Sequence, residues 1–475
     1  MRILLIWPTP NEDVKIILDE LQSAGHEIVY WVGEHPVAHL TPKGCIFHDH
    51  YDAWDAKPAQ AYAKEAFPPP PAKLIASLYE TESLMLTMMN KHYDKAPVDE
   101  RKQIYYDMLG YWGEVLEKVK PDAVVFNDIP HSIYTNIIHD LARMRGIPTL
   151  SYEDTLTACR LMWYWDYWKG SEGLRAALER LRNAPVTVGD LGEEMQEYWR
   201  EHTGDKWRAV PLQVLLLPNT DKGWGLIRHR IRIARGTILT GRFFSLAWEY
   251  IRRIAAANLK KEYGCVVKQI DWNVPFVYFP LHFQPERTTS PQGGIYHHQI
   301  LVAETLAAAL PDGWELFIKE HPSQWKLRGK LRYSSARYRG YYERLARIPR
   351  VRVVPITTSS FDLTEKSQAV AVVTGTVGWE ALLRGKCPLV FGFPWYRDCP
   401  GVLPVDSVEE CTRALGMIRN GARASIDEIL RFLKALEKVS VRAYLWATVE
   451  KEPRYTPQQN LKTIASHIVE QLRTL

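Results

Sequence analysis

Three short motifs in the second half of the chain combine residue types that bind anions and move protons. They are Gln284-Pro285-Glu286-Arg287, Lys319-Glu320-His321-Pro322, and Thr374-Gly375-Thr376 with Glu380 following. Glu286 can give or take a proton, and Arg287 can hold a phosphate or carboxylate through two parallel hydrogen bonds. His321 can donate to a phosphate; Pro322 fixes the turn, and Lys319 and Glu320 are placed to tune the charge of the ring. At Val370–Thr376 an apolar run ends and a helix opens. Free N–H groups and the positive end of the helix dipole attract an anion there, and Gly375 lets the backbone approach. Glu380 lies about one turn beyond Thr376, within reach of the hydroxyls of a ribose.

Each motif alone has an ordinary alternative: a surface salt bridge at Glu286 and Arg287, a plain loop at His321, a capping turn before a solvated Glu380. Their positions join them. Apolar runs predict strands over 274–282, 314–319, 350–354, 369–373 and 388–391, and periodicity predicts helices over 295–310, 338–347, 376–384, 407–419 and 425–438. Each motif follows a strand. Ligands of parallel α/β sheets bind at the carboxyl ends of strands, so the three motifs converge on one site.

The first half opens in the same style. Ile3–Trp7 reads as a buried strand, Asn11 as a helix cap before Glu12 and Asp13, and Ile28–Val32 as the next strand. This is a β-α-β start without a GxGxxG turn, which leaves a dinucleotide site of that type unsupported. His48-Asp49-His50 lacks a third ligand and reads as a polar strand end. Pro68–Pro71 breaks the chain before helices over 72–92 and 98–119. Strands over 121–126 and 148–152 end in Asn127, Asp128 and His131, and in Glu153 and Asp154. These polar groups form a second rim of candidates, although Asp128 and Asp154 are equally well explained as caps of following helices. The aromatic run Leu161–Trp168 reads as packing or a subdomain contact before a sugar-stacking surface. Residues 224–261 are basic and amphipathic, a pattern that can rest on an anionic membrane or form an ordinary helix pair. Thr456-Pro457 opens a last helix whose stripe is Leu461, Ile464, Ile468 and Leu472.

Composition bounds the reading. The 475 residues allow two to four domains, and 46% apolar with 24% charged residues is ordinary for a globular chain. A net charge of +5 does not mark a nucleic-acid binder. The six cysteines form no CxxC pair, which points to a reducing compartment and away from zinc. The first apolar run is too short for a signal peptide, and no stretch reaches the roughly 20 apolar residues of a membrane span. A cytoplasmic protein is expected, with the basic segment available for contact with the inner membrane surface.

The order Gln-Pro-Glu, His-Pro, then Thr-Gly-Thr with a following Glu-Ala resembles the capsule polysaccharide biosynthesis family, which includes Kdo transferases. The likeness is best over about 271–405. It implies a GT-B fold: two Rossmann-like domains facing a cleft, with a C-terminal helix crossing back to the first. The corresponding boundaries are 1–270 for an acceptor-side domain, 271–455 for a nucleotide-sugar domain and 456–475 for the crossover helix. It also implies a metal-independent glycosyltransferase whose donor is a CMP-sugar, CMP-Kdo, with a glycan or lipid-linked acceptor and no separate cofactor. By residue, His321, Pro322, Lys319, Thr374, Gly375 and Thr376 would hold the nucleotide phosphate and Glu380 its ribose. Gln284 and Glu286 would lie by the transferred sugar; beyond what the resemblance implies, Arg287 is placed to meet the sugar carboxylate. Asp128 and Glu153 are the first-domain carboxylates available as nucleophile. A sugar-nucleotide epimerase of the same fold, or a non-catalytic component of a polysaccharide assembly or export complex, are the competing expectations.

Overall fold

A computed structural model describes residues 1–204, 259–284, 288–322, 324, 337–445 and 455–475. Most of the basic segment 224–261 lies outside the described residues, as do Pro285, Glu286 and Arg287 of the first motif.

The first unit is a seven-stranded sheet in the order β13-β6-β5-β4-β1-β2-β3. Its strands are β1 (Arg2–Ile6), β2 (Glu27–Gly33), β3 (Ile46–Asp49), β4 (Ala123–Phe126), β5 (Thr149–Asp154), β6 (Arg160–Tyr164) and β13 (Val441–Arg442). β1 to β5 run parallel; β6 and β13 close one edge antiparallel. The interior runs Ile3–Ile6 and Val124–Phe126 are buried on both faces, as a parallel sheet covered by helices requires.

The second unit is six-stranded in the order β12-β11-β10-β7-β8-β9. Here β7 is Phe276–Pro280, β8 Glu315–Lys319, β9 Val351–Val353, β10 Ala369–Val372, β11 Leu389–Val390 and β12 Leu403–Pro404. All its pairings are parallel. The chain builds β7, β8 and β9 outward, then returns to the other side of β7 with β10. That reversal makes a switch point between β7 and β10, where open α/β sheets hold ligands.

The last helix, Pro457–Leu472, starts with the anticipated cap: Thr456 and Gln459 form a capping box with Pro457 at the first turn. Its Ile464, Ile468 and Leu472 enter the core made by Ile3, Leu5, Val14, Ile17 and Leu21 of the first unit. Two Rossmann-like sheets with a terminal helix crossing back constitute the GT-B arrangement.

Packing divides the chain differently from the expected boundary at 270. Met162, Tyr164, Leu174, Ala177 and Met195 join the apolar core of the second unit. The physical reason is the antiparallel hairpin β5–β6, which carries the chain across to the second unit. The helix Glu172–Leu181 then packs on the helix Ile426–Val439. The aromatic run is accordingly a contact between units: Trp163 donates to the carbonyl of Val439 at 2.9 Å, and Trp168 meets Phe393 edge to face.

Three local expectations are corrected. Asn11 makes no capping hydrogen bond; a short 3-10 turn, Glu12–Val14, precedes the helix Lys15–Ser23. Asp128 accepts from the N–H of Ile129, while the helix Ile133–Met144 is capped by Ser132 and Thr135. Asp154 accepts from Leu156 in the hairpin turn, where no helix follows. His48 is a core residue, bonded to Tyr30 and to the carbonyl of Lys57 and stacked on Trp112. Asp49 caps the helix His50–Trp54.

Candidate functional site at the β7–β10 switch point

Beyond β7 the chain continues Leu281-His282-Phe283-Gln284, and beyond β10 it continues Val373-Thr374-Gly375-Thr376. The two extensions meet at His282. The N–H of Val373 donates to His282 Nε2 at 3.1 Å. The imidazole lies directly against Gly375: a β-carbon there would sit 2.7 Å from His282 Cε1. Burial, with His321 and the Arg337 guanidinium nearby, lowers the His282 imidazolium to about 3, so the ring is neutral.

Gly375 is the N-cap of the helix Thr376–Leu383, and no side chain caps that end. Its carbonyl accepts from the Tyr396 hydroxyl, which fixes the turn. The first N–H groups of the helix are therefore available to a ligand. Thr376 is exposed, whereas Thr374 is 8% exposed and its Oγ1 is buried without a hydrogen-bond partner among the described residues.

Glu380 is half-buried, and its side-chain carboxyl makes no hydrogen bond or ion pair among the described residues. Burial raises its carboxyl to about 7, against the pull of the Arg384 guanidinium. Arg384 itself donates to the Glu380 carbonyl at 2.7 Å.

The β8 motif is built in an unexpected way. Glu320 is fully buried, pairs with Arg337 at 3.0 Å and accepts from the Tyr342 hydroxyl at 2.6 Å. Its Oε1 also accepts from the N–H of His321 at 2.7 Å. It thus anchors the peptide of His321, in place of the expected tuning of the ring charge. Lys319 turns away, donating to the Thr358 carbonyl at 2.6 Å and to Ser360 Oγ at 2.7 Å. Burial lowers its ammonium to about 8. His321 is half-buried with its ring 5.7 Å from that of Phe283, and Pro322 is exposed.

Gln284 positions its loop. Its N–H donates to Gln324 Oε1 at 2.9 Å, its carbonyl accepts from Gln324 Nε2 at 2.8 Å, and its side chain bonds Thr289.

A hydrogen bond joins the end of a strand in one sheet to the loop that follows a strand in the other. Glu153, at the end of β5, accepts from Gln292 Nε2 at 2.9 Å and from the Tyr164 hydroxyl at 2.8 Å. Asp128, at the end of β4, is buried beside Ile129, which packs into the core of the second unit. Among the described residues no group of His, Cys, Asp and Glu is arranged to hold a metal.

The structure therefore gathers Thr374, Gly375, Thr376 and Glu380 at one helix start, with His321 two strands away at the end of β8, while Lys319 faces the 358–360 turn. Sequence reasoning missed His282, Gln292, Arg337 and Tyr396. For His282 the signal was a lone polar residue inside the apolar run Phe276–Phe283. Arg337 offered none, because its partner Glu320 is 17 residues away with no shared periodicity.

Among solved structures, the chain is similar to the KpsC beta Kdo 2,7 transferase of Thermosulfurimonas dismutans, at 12% identity over 69% of this chain and 79% of that one, with a TM-score of 0.30. It is similar to the UDP-GlcNAc 2-epimerase of Neisseria meningitidis bound to UDP-GlcNAc, at 12% identity over all of both chains, with a TM-score of 0.24. The spinosyn rhamnosyltransferase SpnG complexed with thymidine diphosphate gives 13% identity over 93% of this chain and 96% of that one, with a TM-score of 0.22. These scores leave the fold to be read from the strand order and connections of this chain. No curated protein matches it. The sequence profile described as capsule polysaccharide biosynthesis protein matches residues 287–411, a segment that contains the β8 motif and the whole turn from Thr374 to Glu380. Over those residues the chain is similar to the capsule polysaccharide biosynthesis family.

Proposed function

We propose that this protein is a glycosyltransferase of surface-polysaccharide synthesis that takes its sugar from a nucleotide donor bound at the β7–β10 switch point. The observation that carries the reading is the uncapped start of the helix Thr376–Leu383, with the Thr374 hydroxyl before it and the Glu380 carboxylate one turn on, neither partnered among the described residues. That arrangement offers donors to a phosphate and an acceptor to ribose hydroxyls.

The donor is CMP-Kdo in this reading, which rests on the motif resemblance and the family match. His321 and the Thr374–Thr376 turn hold the phosphate. Gln284 and Glu286 face the sugar, and Arg287 pairs with the sugar carboxylate. In the transfer, the anomeric carbon loses its bond to the phosphate oxygen, CMP leaves, and the acceptor hydroxyl supplies the new oxygen and gives its proton to Glu286. If the anomeric configuration is retained, a carboxylate must first bond the anomeric carbon. Asp128 and Glu153, at the ends of β4 and β5, are the first-unit carboxylates we assign to that role. The acceptor is a glycan or a lipid-linked glycan, reached at a membrane surface through the basic segment 224–261. Among the described residues no helix is long and apolar enough to cross a membrane.

Calorimetry against CMP, CDP, UDP and GDP without added metal tests the reading. Selective CMP binding, weakened in His321→Ala, is expected. Preference for UDP or GDP would overturn the CMP-sugar assignment, and no nucleotide binding would overturn the enzyme reading.

A further inference from the structure

We infer that His282 is a ligand-binding residue of the same site, and that its Nδ1–H donates to the anionic group held at the start of the helix Thr376–Leu383. This deepens the nucleotide reading above and rests on it. Four observations carry it.

The N–H of Val373 occupies Nε2 as acceptor at 3.1 Å, so that nitrogen carries no proton and the neutral ring must carry its hydrogen on Nδ1. Nδ1 has no protein partner among the described residues. The ring is held where it is. His282 is 7% exposed, its N–H donates to Gln299 at 2.9 Å, and its carbonyl accepts from Arg337 at 2.9 Å. Finally, the imidazole edge touches the N-cap itself: a β-carbon on Gly375 would lie 2.7 Å from Cε1 and 3.3 Å from Nδ1.

A second, independent polar group marks the same place. Thr374, directly before the cap, is 8% exposed and its hydroxyl has no partner among the described residues. A buried donor left unpaired is unfavourable, so such a group usually serves a ligand or carries strain. Together the Nδ1–H of His282, the Thr374 hydroxyl and the first N–H groups of the helix make a cradle of neutral donors. The ligand chemistry that fits is a phosphate ester oxygen or free phosphate. The ring is held neutral by burial and by facing His321 and Arg337, so its donor function does not titrate near neutral pH.

Two substitutions separate this role from a purely structural one. In His282→Asn the side-chain amide falls near the Nδ1 position, whereas in His282→Gln it reaches the Nε2 position and can still accept from Val373. The full-length chain is titrated with CMP and with inorganic phosphate by calorimetry. For both ligands the Gln variant is expected to bind at least about tenfold more weakly, and the Asn variant within about threefold of the unaltered protein. Binding kept by Gln and lost by Asn would overturn the inference, and so would equal loss in both. A measurement on the unaltered protein guards against misfolded variants. In ¹⁵N spectra of its histidines, the Nδ1–H signal of His282 is expected to shift on saturation with CMP or phosphate; an unmoved signal would overturn the inference. If phosphate moves that signal while CMP does not bind, the donor role of His282 stands and the nucleotide reading falls.

Discussion

Glu320 and Arg337 form an ion pair, 3.0 Å from Oε2 to Nε, with 0% and 3% of their side chains exposed. The pair does more than neutralise itself. Glu320 Oε1 holds the N–H of His321, and Arg337 Nη2 reaches the carbonyl of His282. One buried contact thereby ties the loops after β7 and β8 together. Removing one partner strands the other charge in the interior, which is unfavourable by about 3–5 kcal/mol. Arg337→Ala or Glu320→Ala should lose stability on that scale in urea unfolding. A loss under about 1 kcal/mol would contradict the burial of the pair.

The Glu380 carboxyl is raised by burial from 4.5 to about 7. A raised folded value favours the protonated form, so its contribution to stability is full below about 4.5 and declines as pH rises through about 7. Glu380→Gln should therefore gain stability relative to the unaltered protein across that window, as read from melting temperature against pH. Ribose hydroxyls donate to the ionised form. Nucleotide affinity should then rise through about pH 7 in the unaltered protein and stay level in Glu380→Gln.

Gly375 has φ −72° and ψ 152°, an ordinary extended conformation, so its requirement is spatial. The atom in the way belongs to a ring pinned by Val373. Gly375→Ala should destabilise by about 1–3 kcal/mol, the usual scale of overpacking. It should also weaken nucleotide binding more than its stability loss alone explains. Unchanged calorimetric affinity would show that the cap and the ring do not share a ligand.

Ile468 is fully buried where the last helix meets the first unit. Truncation to Ala should cost about 2–5 kcal/mol, checked by chemical denaturation. A change within 0.5 kcal/mol would mean the crossover helix is not held by that stripe.

Much of this architecture is legible in the sequence, for identifiable reasons. In the second unit the strands are short apolar runs bounded by turns, and each predicted strand falls within a few residues of β7, β8, β9, β10 and β11. The helices with strong periodicity also agree, as Ile426–Val439 and Val98–Val119 do. What failed depended on partners distant in the chain. Lys319 ends the strand that His321 follows, and only the fold reveals that its ammonium is bound by Thr358 and Ser360. Glu153 carries no local sign that Gln292, from the opposite sheet, will take one of its oxygens. Asp128 and Asp154 are good capping residues in composition, but the turns after β4 and β5 spend them on the next residues instead.

The hairpin β5–β6, the edge strand β13 and the last helix have a joint consequence for dissecting this protein. The chain crosses between units repeatedly, and no single cut releases two autonomous halves. A fragment ending at 270 would lack β13 and the helix over Ile3, Leu5 and Ile17, and its Leu174 and Met195 would face water. A fragment beginning at 271 would lack the helix that covers Ile426–Val439. Expressed separately, the two pieces should be insoluble; expressed together, they should reassemble without a covalent link, because each supplies the surface the other leaves bare.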